Sequence, residues 1–169
     1  MTEPNINGFV APVQLTTVPI QLELGYQLIR PEAYKPTVHD DGSSGVDLYS
    51  PKPYTLDPFQ QIKVFTGVVF EFQAGWTAFL KDKSSVVTRK QLTVEGGVID
   101  PGYRGEIIVV LRNMSQNTVF IRPGDAVAQL VNVYTGLPPV LKPVYRIESN
   151  TRRGTRGFGG DHGQENANK

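Results

Sequence analysis

An all-β fold, a jelly-roll-like sandwich or barrel with at most one short helix, is predicted by three observations. Glycine and proline are abundant, at 17 and 13 residues of 169. Val, Ile, Phe and Tyr gather in short runs that favour strands over helices. Turn residues interrupt those runs throughout the chain, at Pro31, Pro36, Asp41-Gly42, Pro51, Pro53, Pro58, Gly67 and Gly75. At roughly 150 residues per domain, the length suits one domain with a core of its own and a tail.

The elements follow in order. Met1 to Thr17 mixes Asn, Pro, Thr and Gln with isolated apolar residues and shows neither period, so residues 1–19 read as a flexible N-terminal extension. The β domain is expected over residues 20–148. Its strands are predicted at Ile20 to Glu23, Tyr26 to Ile29, Val46 to Ser50, Tyr54 to Leu56, Gln61 to Phe65, Val68 to Phe72 and Trp76 to Lys81. Further strands are expected at Leu92 to Val94, Ile107 to Leu111, Thr118 to Ile121, Ala126 to Tyr134 and Val140 to Ile147. Ile107-Ile108-Val109-Val110-Leu111 is apolar without alternation, which predicts cover on both faces and hints at an oligomer. Only Ser84 to Gln91 suits a helix, with Ser84 or Ser85 as its cap, although Val86, Val87 and Thr88 are β-branched. Residues 149–169 cannot form a core and read as a flexible C-terminal arm.

Composition excludes several chemistries. Lys plus Arg is 17 and Asp plus Glu 16, a net charge of +1, so bulk attraction to nucleic acid or an anionic membrane is not expected. The absence of cysteine removes disulfides, thiolate metal sites and thiol nucleophiles, and His39 and His162 are too few for a multi-histidine centre. Without an apolar run of about 18 residues or a signal peptide, the expected location is intracellular, cytoplasmic or nuclear.

Five segments carry possible chemistry. Ser44-Gly45-Val46-Asp47-Leu48 places a half-buried aspartate that needs a cation or N–H partners. In Asp82-Lys83-Ser84-Ser85, a cation and two hydroxyls meet at a turn or helix start, which suits an anion and equally an ordinary cap. The segment from Glu95 to Glu106 reads as a β-hairpin around Pro101-Gly102, with Asp100 at its tip. There Asp100 is either a base holding a water or the carboxylate of an Asx turn. Arg122-Pro123-Gly124-Asp125 leads into a strand where Gln129 stands among apolar residues and needs hydrogen-bond partners, from ligand or protein. In the arm, Arg153, Arg156 and the lone aromatic Phe158 among glycines suit a lid over an aromatic phosphate ester, or a disordered basic tail.

Read in order, the segments resemble the five motifs of the trimeric deoxyuridine triphosphate nucleotidohydrolase (dUTPase) family. The motifs are Ser44 to Ser50, Asp82 to Ser85, Gly97 to Gly105, Gly124 to Leu130 and Arg153 to Gly159, and the likeness spans roughly Leu22 to Gly163. The resemblance implies a jelly-roll homotrimer with sites at subunit interfaces, hydrolysing dUTP to dUMP and pyrophosphate. It makes Asp100 the general base. Lys83, Ser84, Ser85 and Gln129 would hold phosphates, and the main chain of Gly97, Val98 and Ile99 would read uracil. Tyr103 would pack on deoxyribose. The arm's Arg153, Gly157, Phe158 and Gly159 would close over the γ-phosphate and the base. Mg2+ would ride on the triphosphate, with Asp47 supporting it, or the local charge network, from outside its ligand shell.

Three departures from the family pattern stand out: Lys83 where arginine is usual, Arg156 where glycine is usual, and Gly159-Gly160-Asp161-His162-Gly163 in place of Gly-Ser-Thr-Gly. They predict a weaker triphosphate grip or altered lid closure. Deamination of dCTP, the activity of a related family, is disfavoured because its glutamate, ten residues after the aspartate, is Val110 here. A dUTPase-fold regulatory or partner-binding protein with weak or no hydrolysis is the alternative function, and a generic jelly-roll structural protein the alternative on fold alone.

Overall fold

A computed structural model describes residues 22–147; residues 1–21 and 148–169 lie outside the described part. The extension over 1–19 and the arm over 149–169 therefore remain sequence expectations. The chain divides into two compact units at Leu137/Pro138.

The first unit is built from short strands and one helix, as its turn spacing predicts. They are β1 Gly25–Leu28, β2 Thr37–Val38, β3 Gly45–Tyr49, β4 Tyr54–Leu56, β5 Gln61–Phe65, β6 Val68–Glu71, β7 Trp76–Lys81, α1 Ser84–Lys90, β8 Leu92–Glu95, β9 Val98–Ile99, β10 Ile108–Asn113, β11 Val119–Ile121 and β12 Ala126–Tyr134. A five-stranded sheet runs β2-β3-β12-β7-β9, and a three-stranded sheet runs β5-β10-β8. Two-stranded pairs, β1-β6 and β11-β4, complete the jelly-roll-like arrangement. Every pairing is antiparallel. One core joins the layers: Leu48, Leu80, Ala128 and Leu130 from the larger sheet, Val64, Val109 and Leu111 from the smaller, and Phe70, Leu56 and Ile121 from the pairs.

Ile107, Val109 and Leu111 are fully buried on the core, while Ile108 and Val110 on the opposite face are part-buried. Four expectations need correction. The strand expected at Ile20 to Glu23 does not form at Leu22 and Glu23, and residues 20 and 21 lie outside the described part. The strand expected at Val140 to Ile147 does not form, because Pro138, Pro139 and Pro143 remove the donors a ladder needs. Helix α1 starts from Lys83, in extended conformation and without a side-chain cap, rather than from a serine. It holds despite its β-branched run because Val86 is buried, Thr88 Oγ1 donates to the Ser84 carbonyl at 2.9 Å, and Gln91 ends it in the left-handed region with φ 51°. Finally, the chain after Pro101-Gly102 does not return as a hairpin arm. Ile107 already donates to the Val68 carbonyl and accepts from Thr66 N–H, which draws residues 103–107 toward β6 and leaves β9 to pair with β7.

Candidate active site

At one end of the five-stranded sheet, three sequence-predicted residues converge. The register puts Asp47 opposite Gln129 on β12, and Gln129 opposite Lys81 on β7. Two residues beyond β7, Lys83 turns back and donates from Nζ to both Asp47 carboxylate oxygens, at 3.0 and 2.8 Å. The aspartate is buried and has the cation that its sequence position demanded. Gln129 donates from Nε2 to the Asp82 carbonyl at 2.8 Å, which fixes the connection from which Lys83 projects. Gly45 makes room for this glutamine: a Cβ there would come within 2.4 Å of Gln129 Oε1. The Asp82 carboxylate accepts from Val94 N–H at 2.6 Å and ties the same connection to β8. Ser84 and Ser85 open the helix beside this corner, Ser84 exposed and Ser85 partly so.

The second group lies on β9 and the turn after it. Leu80 N–H donates to the Gly97 carbonyl at 2.7 Å, and a Cβ on Gly97 would stand 2.4 Å from the Leu80 carbonyl oxygen. Only glycine lets the strand lie so close. Since β9 is an edge strand and Gly97 faces β7, antiparallel alternation turns the N–H and C=O of Val98 toward the open edge. Asp100 and Tyr103 close a β-turn, Tyr103 N–H donating to the Asp100 carbonyl at 3.0 Å, and the Asp100 side chain is exposed. Tyr103, 40% exposed, donates its hydroxyl to the Glu106 carbonyl at 2.9 Å and leaves its ring accessible.

These two groups do not meet within the chain. Ile99 pairs with Ala78 and Val98 with Phe79, so Asp100 falls beside Thr77, near the start of β7, whereas Lys83 follows its end. From Thr77 to Lys81 at about 3.3 Å per residue, the strand alone separates them by about 13 Å. Arg153, Gly157, Phe158 and Gly159 lie outside the described residues.

A model of the dUTPase family matches residues 32–160. The chain belongs to the dUTPase family. A deoxyuridine 5'-triphosphate nucleotidohydrolase of Hydrogenobaculum is 37% identical over 145 residues, covering 82% of this chain and 96% of the relative. One from Fowl adenovirus A is 32% identical over 157 residues, covering 93% and 86%. Among solved structures, a Staphylococcus bacteriophage 80alpha dUTPase with dUPNHPP superposes at a TM-score of 0.76 and 26% identity, over 83% of this chain and 99% of that one. A phage phi11 dUTPase variant, in which a structural Mg(II) ion is coordinated, superposes at 0.69 and 25% identity, over 76% and 100%. The match takes in all five segments singled out from the sequence.

Sequence reading missed the partners of two acids, Glu106 and Asp125, at the end of the third segment and the start of the fourth. Glu106 Oε1 accepts from Arg30 Nε at 3.1 Å and Gly67 N–H at 2.8 Å, while Oε2 accepts from Arg30 Nη2 at 2.8 Å. Hydrogen bonds from the Arg30 guanidinium hold the Glu106 carboxyl below the usual glutamate range against the opposing effect of burial. For Asp125, burial alone would raise the pKa, but Arg122 N–H and the Lys90 ammonium outweigh it and the net shift is downward. Both acids are paired across more than 30 residues of sequence, a separation no local pattern reveals.

Proposed function

We propose that this chain hydrolyses dUTP to dUMP and pyrophosphate with Mg2+, in sites completed between the subunits of a homotrimer, in the cytoplasm or nucleus where deoxynucleotides are handled. The observation that carries the reading is the separation along β7. Asp100 stands at one end, the Lys83–Asp47–Gln129 corner at the other, and a triphosphate cannot use both in one chain. Two chains can bring the Asp100 turn of one against the phosphate corner of the next. The half-covered outer face of β10, with Ile108 and Val110, offers apolar surface for such contact.

Asp100, exposed on its β-turn, accepts a proton from the water that attacks the α-phosphorus in line, and pyrophosphate leaves. The outward N–H and C=O of Val98 offer a donor and an acceptor to the edge of uracil, and Gly97 fixes the strand that presents them. The Tyr103 ring packs on deoxyribose. Lys83, Ser84, Ser85 and Gln129 take the phosphate oxygens, and the family's arm residues Arg153, Gly157, Phe158 and Gly159 cover the γ-phosphate and the base.

Among the described residues no group of three or more His, Asp or Glu side chains could hold a metal ion. Both Asp47 oxygens are engaged by Lys83. This donor set fits an ion liganded by phosphates and water, with Asp47 acting on it through the charge network. Bound there, Mg2+ supplies charge neutralisation on the triphosphate.

The test is pyrophosphate release from dUTP, dTTP, UTP and dCTP with Mg2+, comparing the natural chain with Asp100→Asn. Release selective for dUTP and abolished by the substitution is expected. Release of ammonia from dCTP, or equal rates on all four nucleotides, would overturn the reading.

A further inference from the structure

The turn that carries Asp100 projects from an edge strand of two residues, yet a general base must hold its position to a fraction of an ångström. We infer that Arg104 is the positioning residue that fixes this turn; the inference rests on the reading of Asp100 as the base.

Its guanidinium donates to three main-chain carbonyls. Nη1 reaches Pro101 at 2.8 Å and Tyr103 at 2.9 Å, and Nη2 reaches Phe72 at 3.1 Å. Pro101 immediately follows Asp100, and Tyr103 closes the Asp100 turn, so a single planar group spans both limbs of the turn and ties them to the residue after β6. On the other side, Glu106 accepts from Gly67 N–H, the residue before β6. The base turn is thus anchored at both ends of one core strand, whose Val68 and Phe70 are buried. No other side chain among the described residues bonds the turn's carbonyls to the body of the domain.

The chemistry suits arginine in particular. Two carbonyls on one nitrogen and a third on the other match a delocalised fork of N–H donors, whereas an ammonium, a compact point donor, can serve the two nearest carbonyls and leave the third. All three acceptors are neutral, so the role is to hold geometry and not to balance a carboxylate. Loss of the group frees the turn, and with it the angle at which Asp100 meets the water and the seat of the Tyr103 ring, while the uracil edge on β9 and the phosphate corner stay in place. Turnover should suffer far more than binding.

The experiment compares the full chain with Arg104→Ala and Arg104→Lys. The readouts are dUTP turnover, affinity for the non-hydrolysable analogue dUPNHPP, and thermal midpoint. Arg104→Ala is expected to lower kcat about ten- to a hundredfold, the scale of a 1 Å misplacement. KM and analogue affinity should change by less than about fivefold, the small part owed to Tyr103 moving with the turn. Arg104→Lys should recover part of the rate. Millimolar guanidinium added to Arg104→Ala should do the same by refilling the vacated place, and no role confined to stability predicts that. An unchanged kcat per folded molecule, or a loss of rate shared equally by kcat and analogue affinity, would overturn the inference. The natural chain and Asp100→Asn run alongside. If dUTP turnover in the natural chain survives Asp100→Asn, the assignment of the base fails and the inference with it; if only the Arg104 variants behave like the natural chain, the inference alone fails.

Discussion

Replacing Lys83 with methionine keeps most of the side chain's volume but strands the Asp47 carboxylate, of which only 8% is exposed. The pair is 2.8 Å at its closest, with the lysine side chain 26% exposed, which sets it between two limits. Exposed pairs contribute about 0–1 kcal/mol, whereas breaking a buried pair costs about 3–5 kcal/mol because the surviving charge is left in a poorly hydrated place. With the acid buried and the base part-exposed, Lys83→Met should cost about 3 kcal/mol of stability. In a chain of this length that lowers the melting midpoint by about 6–12 °C. Asp47→Asn should cost only about 1 kcal/mol, because the freed ammonium can reach water. The double variant removes the stranded charge and should be more stable than Lys83→Met alone, a non-additivity that a double-mutant cycle measures directly. The assay is urea unfolding of all four proteins at one fixed protein concentration, since subunit association shifts apparent stability. Equal destabilisation by the two single substitutions, with simple additivity in the double, would refute the view that Lys83 neutralises a buried acid.

Other perturbations have equally definite outcomes. Gly97→Ala places a methyl 2.4 Å from the Leu80 carbonyl, so β9 must shift and lose a 2.7 Å hydrogen bond; a loss of about 1–3 kcal/mol in urea unfolding is expected, with a higher KM for dUTP. The lowered Glu106 pKa contributes stability above the unfolded glutamate value of about 4.3, and that contribution is lost as pH falls through the still lower folded value. Glu106→Gln should therefore be less stable at pH 7 and show a shallower decline on acidification, as followed by melts between neutral pH and pH 2. Asn113 is fully buried and donates to the carbonyls of Leu56, Asp57 and Asn117 at 3.2, 3.0 and 2.7 Å. Asn113→Ala leaves those groups short of partners and should cost about 2–4 kcal/mol, read as a drop in the urea midpoint. Chelation of Mg2+ should slow dUTP turnover while leaving the melting midpoint of the ligand-free protein nearly unchanged, because no cluster of three or more His, Asp or Glu among the described residues could hold the ion.

Most strands were legible because β-branched and aromatic runs between turn residues are local signals; the helix was legible only as a short segment after Asp82-Lys83, and burial of Val86 is what holds it against its β-branched run. Errors arose where partners decide. Thr37–Val38 is too short to show a period and exists only because β3 lies alongside to pair with it. Val140 to Ile147 has strand composition, but Pro143 within it and Pro138-Pro139 before it remove donors that composition does not weigh. The Pro101-Gly102 turn was legible, whereas the path after it depends on Ile107 bonding to Val68 and Thr66, some 40 residues earlier.

The site divides along the same line. Residue types at their spacing marked Asp47, Lys83, Asp100 and Gln129, since a buried acid, a cation beside hydroxyls, a tip carboxylate and an isolated amide each carry an energetic demand that chemistry can answer. Which demand meets which answer is set by register. Antiparallel pairing of β3, β12 and β7 brings Asp47, Gln129 and Lys83 to one corner, and the β7–β9 pairing carries Asp100 to the other end of the same strand. A shift of one residue in either ladder would invert the faces and dissolve the corner. Gly45 and Gly97 stand where a side chain would force such a shift, beside Gln129 and Leu80. These two glycines therefore belong with the charged residues: they fix the strand positions that hold the Lys83–Asp47–Gln129 corner and the Asp100 turn at opposite ends of β7, the separation on which the proposed inter-subunit site rests.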